Sequence, residues 1–144
     1  MKALSIATAL VLSAASLFAK PGWSEDYAAS LAKAKADNKL VLLDFTGSDW
    51  CGWCIKIDNE IFSKPEFQAY AKDNLELVEL DFPRGKTLPD KVKAQNEKLA
   101  QEFGIQGFPT IIVLNSKGKP VGKLGYMPGG PEAFIAELEK LKNK

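Results

Sequence analysis

The stretch Leu40-Val-Leu-Leu-Asp-Phe-Thr-Gly-Ser-Asp-Trp-Cys-Gly-Trp-Cys54 runs from an apolar start to the only two cysteines of the chain. Leu40 to Phe45 is short and apolar enough for a buried central strand. Thr46 to Trp50 reads as a loop. From Cys51 to about Phe62 the pattern turns helical, with Ile55, Asp58 and Phe62 recurring one turn apart. Cys51 therefore stands at the predicted start of a helix, and Cys54, three residues on, shares its face within reach of a disulfide of ordinary geometry. Free N–H groups and the positive end of the helix favour a thiolate at Cys51. That makes Cys51 the nucleophile and the deeper Cys54 the thiol that resolves a mixed disulfide.

Other uses of such a pair compete with redox exchange. A haem anchor needs histidine after the second cysteine, and Ile55 stands there. Zinc needs two further good ligands; the chain has no histidine and no third cysteine, which leaves only a site shared between two chains. A purely structural bridge stays open, although closing so small a loop stabilises by only about 2 kcal/mol in the chain-entropy model. The absence of histidine also removes Ser/His/Asp and Cys/His catalysis.

Outward from the cysteines, Ser63-Lys-Pro-Glu66 reads as a capping box opening a short helix through Tyr70. Leu75 to Asp81 alternates as a second strand. Phe82 to Pro89 is a turn-rich loop within a long connection to about Asn96, and Asp90 to Phe103 is a charged amphipathic helix. Thr110 to Leu114 is a third strand, Asn115-Ser-Lys-Gly-Lys119 carries hairpin chemistry, Val121 to Tyr126 is a fourth strand, and Pro131 to Leu141 a closing helix. Upstream, Trp23 to Ala36 reads as a helix capped by Ser24, packing down through Trp23, Tyr27, Leu31 and Ala34. Strand, helix, strand, helix, strand, strand, helix describes an α/β layer sandwich, a mixed four-stranded sheet flanked by helices with an extra N-terminal helix.

Residues 1–19 have the three parts of a secretory signal: Lys2, an apolar run, and small residues ending at Ala19, with Leu17 departing from the ideal small residue near the cut. Cleavage would leave residues 20–144 as one domain, exported to the periplasm or another compartment outside the cytoplasm. No cysteine lies where a lipid anchor would need one. With 19 basic and 18 acidic residues in all, and Arg84 the sole arginine, charge gives no case for nucleic acid or an anionic membrane surface. No metal or cofactor is expected.

Two motifs then carry a resemblance. Trp50-Cys-Gly-Trp-Cys54 after an apolar strand containing Asp44, and Phe108-Pro109-Thr110 opening a later strand, are together similar to the thioredoxin superfamily over residues 40 to about 141, and with the leader to its exported bacterial members. The resemblance implies a thioredoxin fold in which Cys51 attacks and Cys54 resolves. Pro109 would be a cis-proline facing the pair, and Phe108 would offer backbone groups to an extended substrate. Trp50 would flank Cys51, and Gly125 would be the small residue that lets another backbone approach. Asp44 would be a buried acid exchanging a proton with Cys54, and burial raises a carboxyl pKa in the sense that suits the task. The loop from Asp44 to Cys51 is one residue longer than the family pattern. Trp53 stands where relatives carry proline or histidine, and Glu79 where many carry a lysine beside the acid. Protein disulfides or thiols would be the substrates, with a membrane protein as electron donor or acceptor.

The expected activity is thiol–disulfide exchange, running as a reductase because no feature of the sequence stabilises the reduced pair as strong oxidants require. The same steps reversed would oxidise or isomerise substrate thiols. A thioredoxin-fold binding module with an inert disulfide and a peroxidase using Cys51 are the readings from other classes.

Overall fold

The computed structural model describes residues 20–144; the leader expected over residues 1–19 lies outside them. Every residue of strand β1 (Leu40–Thr46) is buried. It pairs in parallel with β2 (Leu75–Asp81) and antiparallel with β3 (Thr110–Leu114), which pairs antiparallel with β4 (Pro120–Leu124), giving the order β2-β1-β3-β4. A central strand covered on both faces has no polar side to show, hence the unbroken apolar run before Asp44.

The parallel pair requires a crossover. It is built from α2 (Gly52–Ile57), a π-helical segment Asp58–Phe62 and α3 (Pro65–Asn74). These lie with α5 (Gly130–Leu141) over one face of the sheet, where Leu40, Leu42 and Ile111 meet Ile57, Ile61, Phe62, Phe67 and Phe134. The other face packs Val41, Leu43, Phe45, Val78 and Leu80 against α1 (Tyr27–Asp37) and α4 (Asp90–Glu102). The thioredoxin fold with its extra N-terminal helix is the architecture observed. In the β3–β4 hairpin Gly118 sits at φ +80°, a conformation that costs glycine nothing.

Three local expectations are corrected. The cap of α1 is Asp26, whose carboxylate accepts from the Ala29 N–H at 2.9 Å. Ser24 is instead drawn into extended pairing along the edge of β2, its N–H donating to the Leu77 carbonyl and its carbonyl accepting from the Glu79 N–H. That pairing turns Trp23 away from Tyr27, Leu31 and Ala34, onto Phe62 on the opposite face of the sheet. No capping box opens α3: Ser63 is the C-cap of the preceding π-helical segment, its hydroxyl donates to the Asn59 carbonyl, and Pro65 starts the helix after Lys64. The fourth strand ends at Leu124, two residues short of Tyr126.

Candidate active site

At the C-terminal end of β1 the chain turns through Gly47 and enters α2 at Cys51, which is the N-cap residue. The Cys51 N–H donates to the Gly47 carbonyl at 2.9 Å, and the Cys51 sulfur accepts from the Cys54 N–H at 3.2 Å. Cys51 and Cys54 form a disulfide, their Cα atoms 5.2 Å apart. Cys51 is 7% exposed and Cys54 3%. The Gly47 N–H lies 3.5 Å from the Cys54 sulfur. A side chain at Gly47 would run into the Trp50 ring, so glycine there lets the loop fold against its own tryptophan.

Trp50 is fixed from several sides. Its indole N–H donates to the Phe82 carbonyl at 2.7 Å, and its ring meets Phe108 edge-on at 5.9 Å. The Arg84 guanidinium stacks over it at 3.7 Å. The Asp49 carboxylate accepts from the backbone N–H groups of Arg84 and Gly85, which holds that carboxyl below its usual range. The long connection after β2 is thus tied to the cysteine loop by backbone, indole and guanidinium together. Arg84 and Phe82 were not anticipated as neighbours of the pair. The only signal was the unusual length of their segment.

Phe108, Pro109 and Gly125 complete this side. The Phe108–Pro109 bond is cis. Thr110 follows in register with Phe45, which places Pro109 beside the end of β1 that leads to Cys51. Gly125 comes directly after β4. A methyl group built on it would meet the Pro109 carbonyl at 4.0 Å, ordinary contact, so the fold itself does not demand glycine there. Trp53 is 58% exposed and packs on Tyr126, whose hydroxyl donates to Glu60.

Asp44 is buried, 2% exposed. Side chains alternate along β1, so Asp44 shares the face of Leu40 and Leu42 that lies under α2. Its neighbour across the sheet is Glu79, a second buried carboxyl. Asp44 Oδ1 has no hydrogen-bond partner, while Oδ2 lies 3.5 Å from the Lys20 ammonium. Burial pushes the Asp44 carboxyl up and Lys20 pulls it back, with Glu79 and Asp58 raising it again, to about 7. Burial likewise raises Glu79. The longer loop after Asp44 has not turned it outward.

Residues 27–142 match the thioredoxin-like domain family. The chain belongs to that family. This thioredoxin-like chain is 36% identical over 115 residues to the disulfide bond reductase DsbH of Chlamydia pneumoniae, covering 80% of this chain and 69% of that one. It is 30% identical over 103 residues to the thioredoxin-related protein DsbJ of the same organism, of whose length the match spans 30%. Among solved structures, one described as DsbH oxidoreductase superimposes with a TM-score of 0.80 at 32% identity, covering 99% of this chain and 95% of that one. The oxidised C-terminal domain of Neisseria meningitidis DsbD superimposes at 0.58 with 25% identity over 79% of this chain and 90% of that one. By family the thioredoxin-like chain is therefore a thiol–disulfide oxidoreductase carrying its one disulfide at the start of α2.

Proposed function

We propose that this protein reduces protein disulfides outside the cytoplasm. Among the described residues no helix is long and apolar enough to cross a membrane. The observation that carries the reading is the Cys51–Cys54 disulfide at the N-cap of α2, with a buried carboxylate, one of its oxygens unpartnered, on the sheet face packed under that helix. The likeness to a protein named as a disulfide bond reductase supports the direction, and the signal read in residues 1–19 supports the location.

In the reduced protein the Cys51 thiolate attacks a substrate disulfide. One substrate sulfur leaves as a thiolate and is protonated from water, and the other stays bonded to Cys51. Asp44 takes the Cys54 proton, Cys54 attacks the Cys51 sulfur, the second substrate thiolate departs and is protonated from water, and Cys51–Cys54 is oxidised. Two electrons have passed to the substrate, and a dithiol donor, here a membrane protein, restores the pair. The Trp50, Phe108, Pro109 and Gly125 side of the disulfide is where an extended substrate segment would lie.

The test is trapping. Cys54→Ser should accumulate mixed disulfides through Cys51, and Cys51→Ser almost none. Equal trapping by neither variant, with partner binding intact in both, would leave a binding module with an inert bridge. The reduction potential then sets direction: near roughly −270 mV the couple reduces substrates, near roughly −120 mV it oxidises them.

A further inference from the structure

The segment ahead of α1 brings a cation, Lys20, against the sheet. With Ser24 paired to β2 and Trp23 packed on Phe62, the Lys20 ammonium lies over the Trp23 ring, 4.1 Å from its centroid. Its ammonium then lies 3.0 Å from Asp58, 3.5 Å from Asp44 and 3.9 Å from Glu79. Those three carboxylates come from the π-helical segment after α2, from β1 and from β2. They hold the Lys20 ammonium charged against the burial that would lower it.

The sheet offers Asp44 no cation of its own. Its neighbour on β2 is the acid Glu79, and its neighbour on β3 is Ile111. Asp58 is a third acid, and Lys86, from the loop after β2, pairs with Asp81 at 3.4 Å. Among the described residues, Lys20 is the one cation within ion-pair range of Asp44, and it precedes the span matched by the family, which begins at residue 27. Lys20, Asp58, Glu79 and Lys86 line the same cleft of about 240 Å³ as Cys54, which puts the partners of Asp44 on the Cys54 side of the site.

We propose that Lys20 is a positioning residue for thiol–disulfide exchange: its ammonium keeps the Asp44 carboxylate charged and available to the Cys54 thiol. The inference rests on the redox reading above. It gives the ammonium no part in the first step, in which Cys51 alone reacts. In the second step the Cys54 proton passes to Asp44, the Cys54–Cys51 bond forms, and the Cys51–substrate bond breaks. A neutral residue at position 20 would leave Asp44 facing Glu79 and Asp58 without a counter-charge, and the carboxyl would hold its own proton instead of accepting one.

The experiment is stopped-flow reaction of the reduced full chain with dithiobis-nitrobenzoate, which releases one coloured thiolate when Cys51 attacks and a second when Cys54 resolves. Lys20→Met keeps an unbranched side chain of similar length and removes the charge; Lys20→Gln removes it with a polar end. Both should shift the pH midpoint of the second phase upward by about one unit and slow it about five-fold at neutral pH. The first phase should move far less, and Lys20→Arg should return the second phase towards the wild-type midpoint. An unshifted second-phase midpoint in both neutral variants, with wild type still giving two phases, overturns the inference alone. Absence of a second phase in wild type overturns the redox reading itself.

Discussion

Three consecutive residues of β1 meet three of β2, and they face two different worlds. Leu43 against Val78 and Phe45 against Leu80 point into the core beneath α1 and α4, and all four are completely buried. Between them Asp44 against Glu79 points the other way, and both carboxyls are buried too. Like charges directly opposite on neighbouring strands destabilise a sheet, and burying a carboxylate costs more still. The apolar pairs explain why the sheet holds. The acidic pair weakens it, and raised carboxyls of that kind are common at functional sites, which is the ground for the proton-transfer role proposed for Asp44.

The largest effect should come from the apolar side. Phe45 is fully buried and meets Phe103 edge-on at 6.2 Å. Phe45→Ala should lower stability by about 3–5 kcal/mol, read from urea denaturation of the oxidised protein. A loss below about 1 kcal/mol would mean that this core relaxes to fill the space.

One residue away the sign should reverse. Asp44 binds its proton more tightly folded, with a carboxyl at about 7, than in an unfolded chain, where the ordinary value is 3.8. The native state then holds the extra proton between those values, so stability falls as pH rises through that window. Below about pH 4 both states are protonated and the penalty vanishes; above about 7 it is complete. Asp44→Asn should therefore stabilise the oxidised protein by about 2–4 kcal/mol above neutrality and by nothing in acid. Paired urea titrations across pH would show it. A gap that did not change with pH would contradict a buried, raised carboxyl.

This contrast was half legible in the sequence. The run Leu40 to Phe45 announces a central strand because a strand buried on both faces needs apolar residues throughout, and a lone aspartate inside it stands out. The cysteine pair is legible because strand, loop and helix start are each marked locally. The cation opposite Asp44 was not legible, because Lys20 arrives through an edge pairing of Ser24 with β2 that no periodicity announces. The same pairing displaced the expected Ser24 cap and turned Trp23 to the other face. Arg84 and Phe82 escaped for a related reason: their contacts with Trp50 are made by a loop, and loops carry no repeating pattern to read.

A second aspartate sharpens the comparison with the smallest expected effect. Asp49 lies five residues beyond Asp44, exposed where Asp44 is buried, and its carboxyl is shifted down where that of Asp44 is shifted up. The cause is the pair of backbone N–H groups of Arg84 and Gly85, which bind the charged form. A depressed carboxyl contributes its stabilisation above the unfolded value and loses it as pH falls through the folded one. The loop beside Trp50 should therefore loosen in acid while Asp44 ceases to weaken the sheet. Asp49→Asn mimics the acid state at neutral pH, since an amide oxygen accepts more weakly than a carboxylate. Its amides at Arg84 and Gly85 should exchange with solvent faster than in wild type, while those of the β1 core stay protected. Faster exchange throughout β1 as well would mean that loop and sheet open as one unit, and that the two aspartates do not act in separate regions of the molecule.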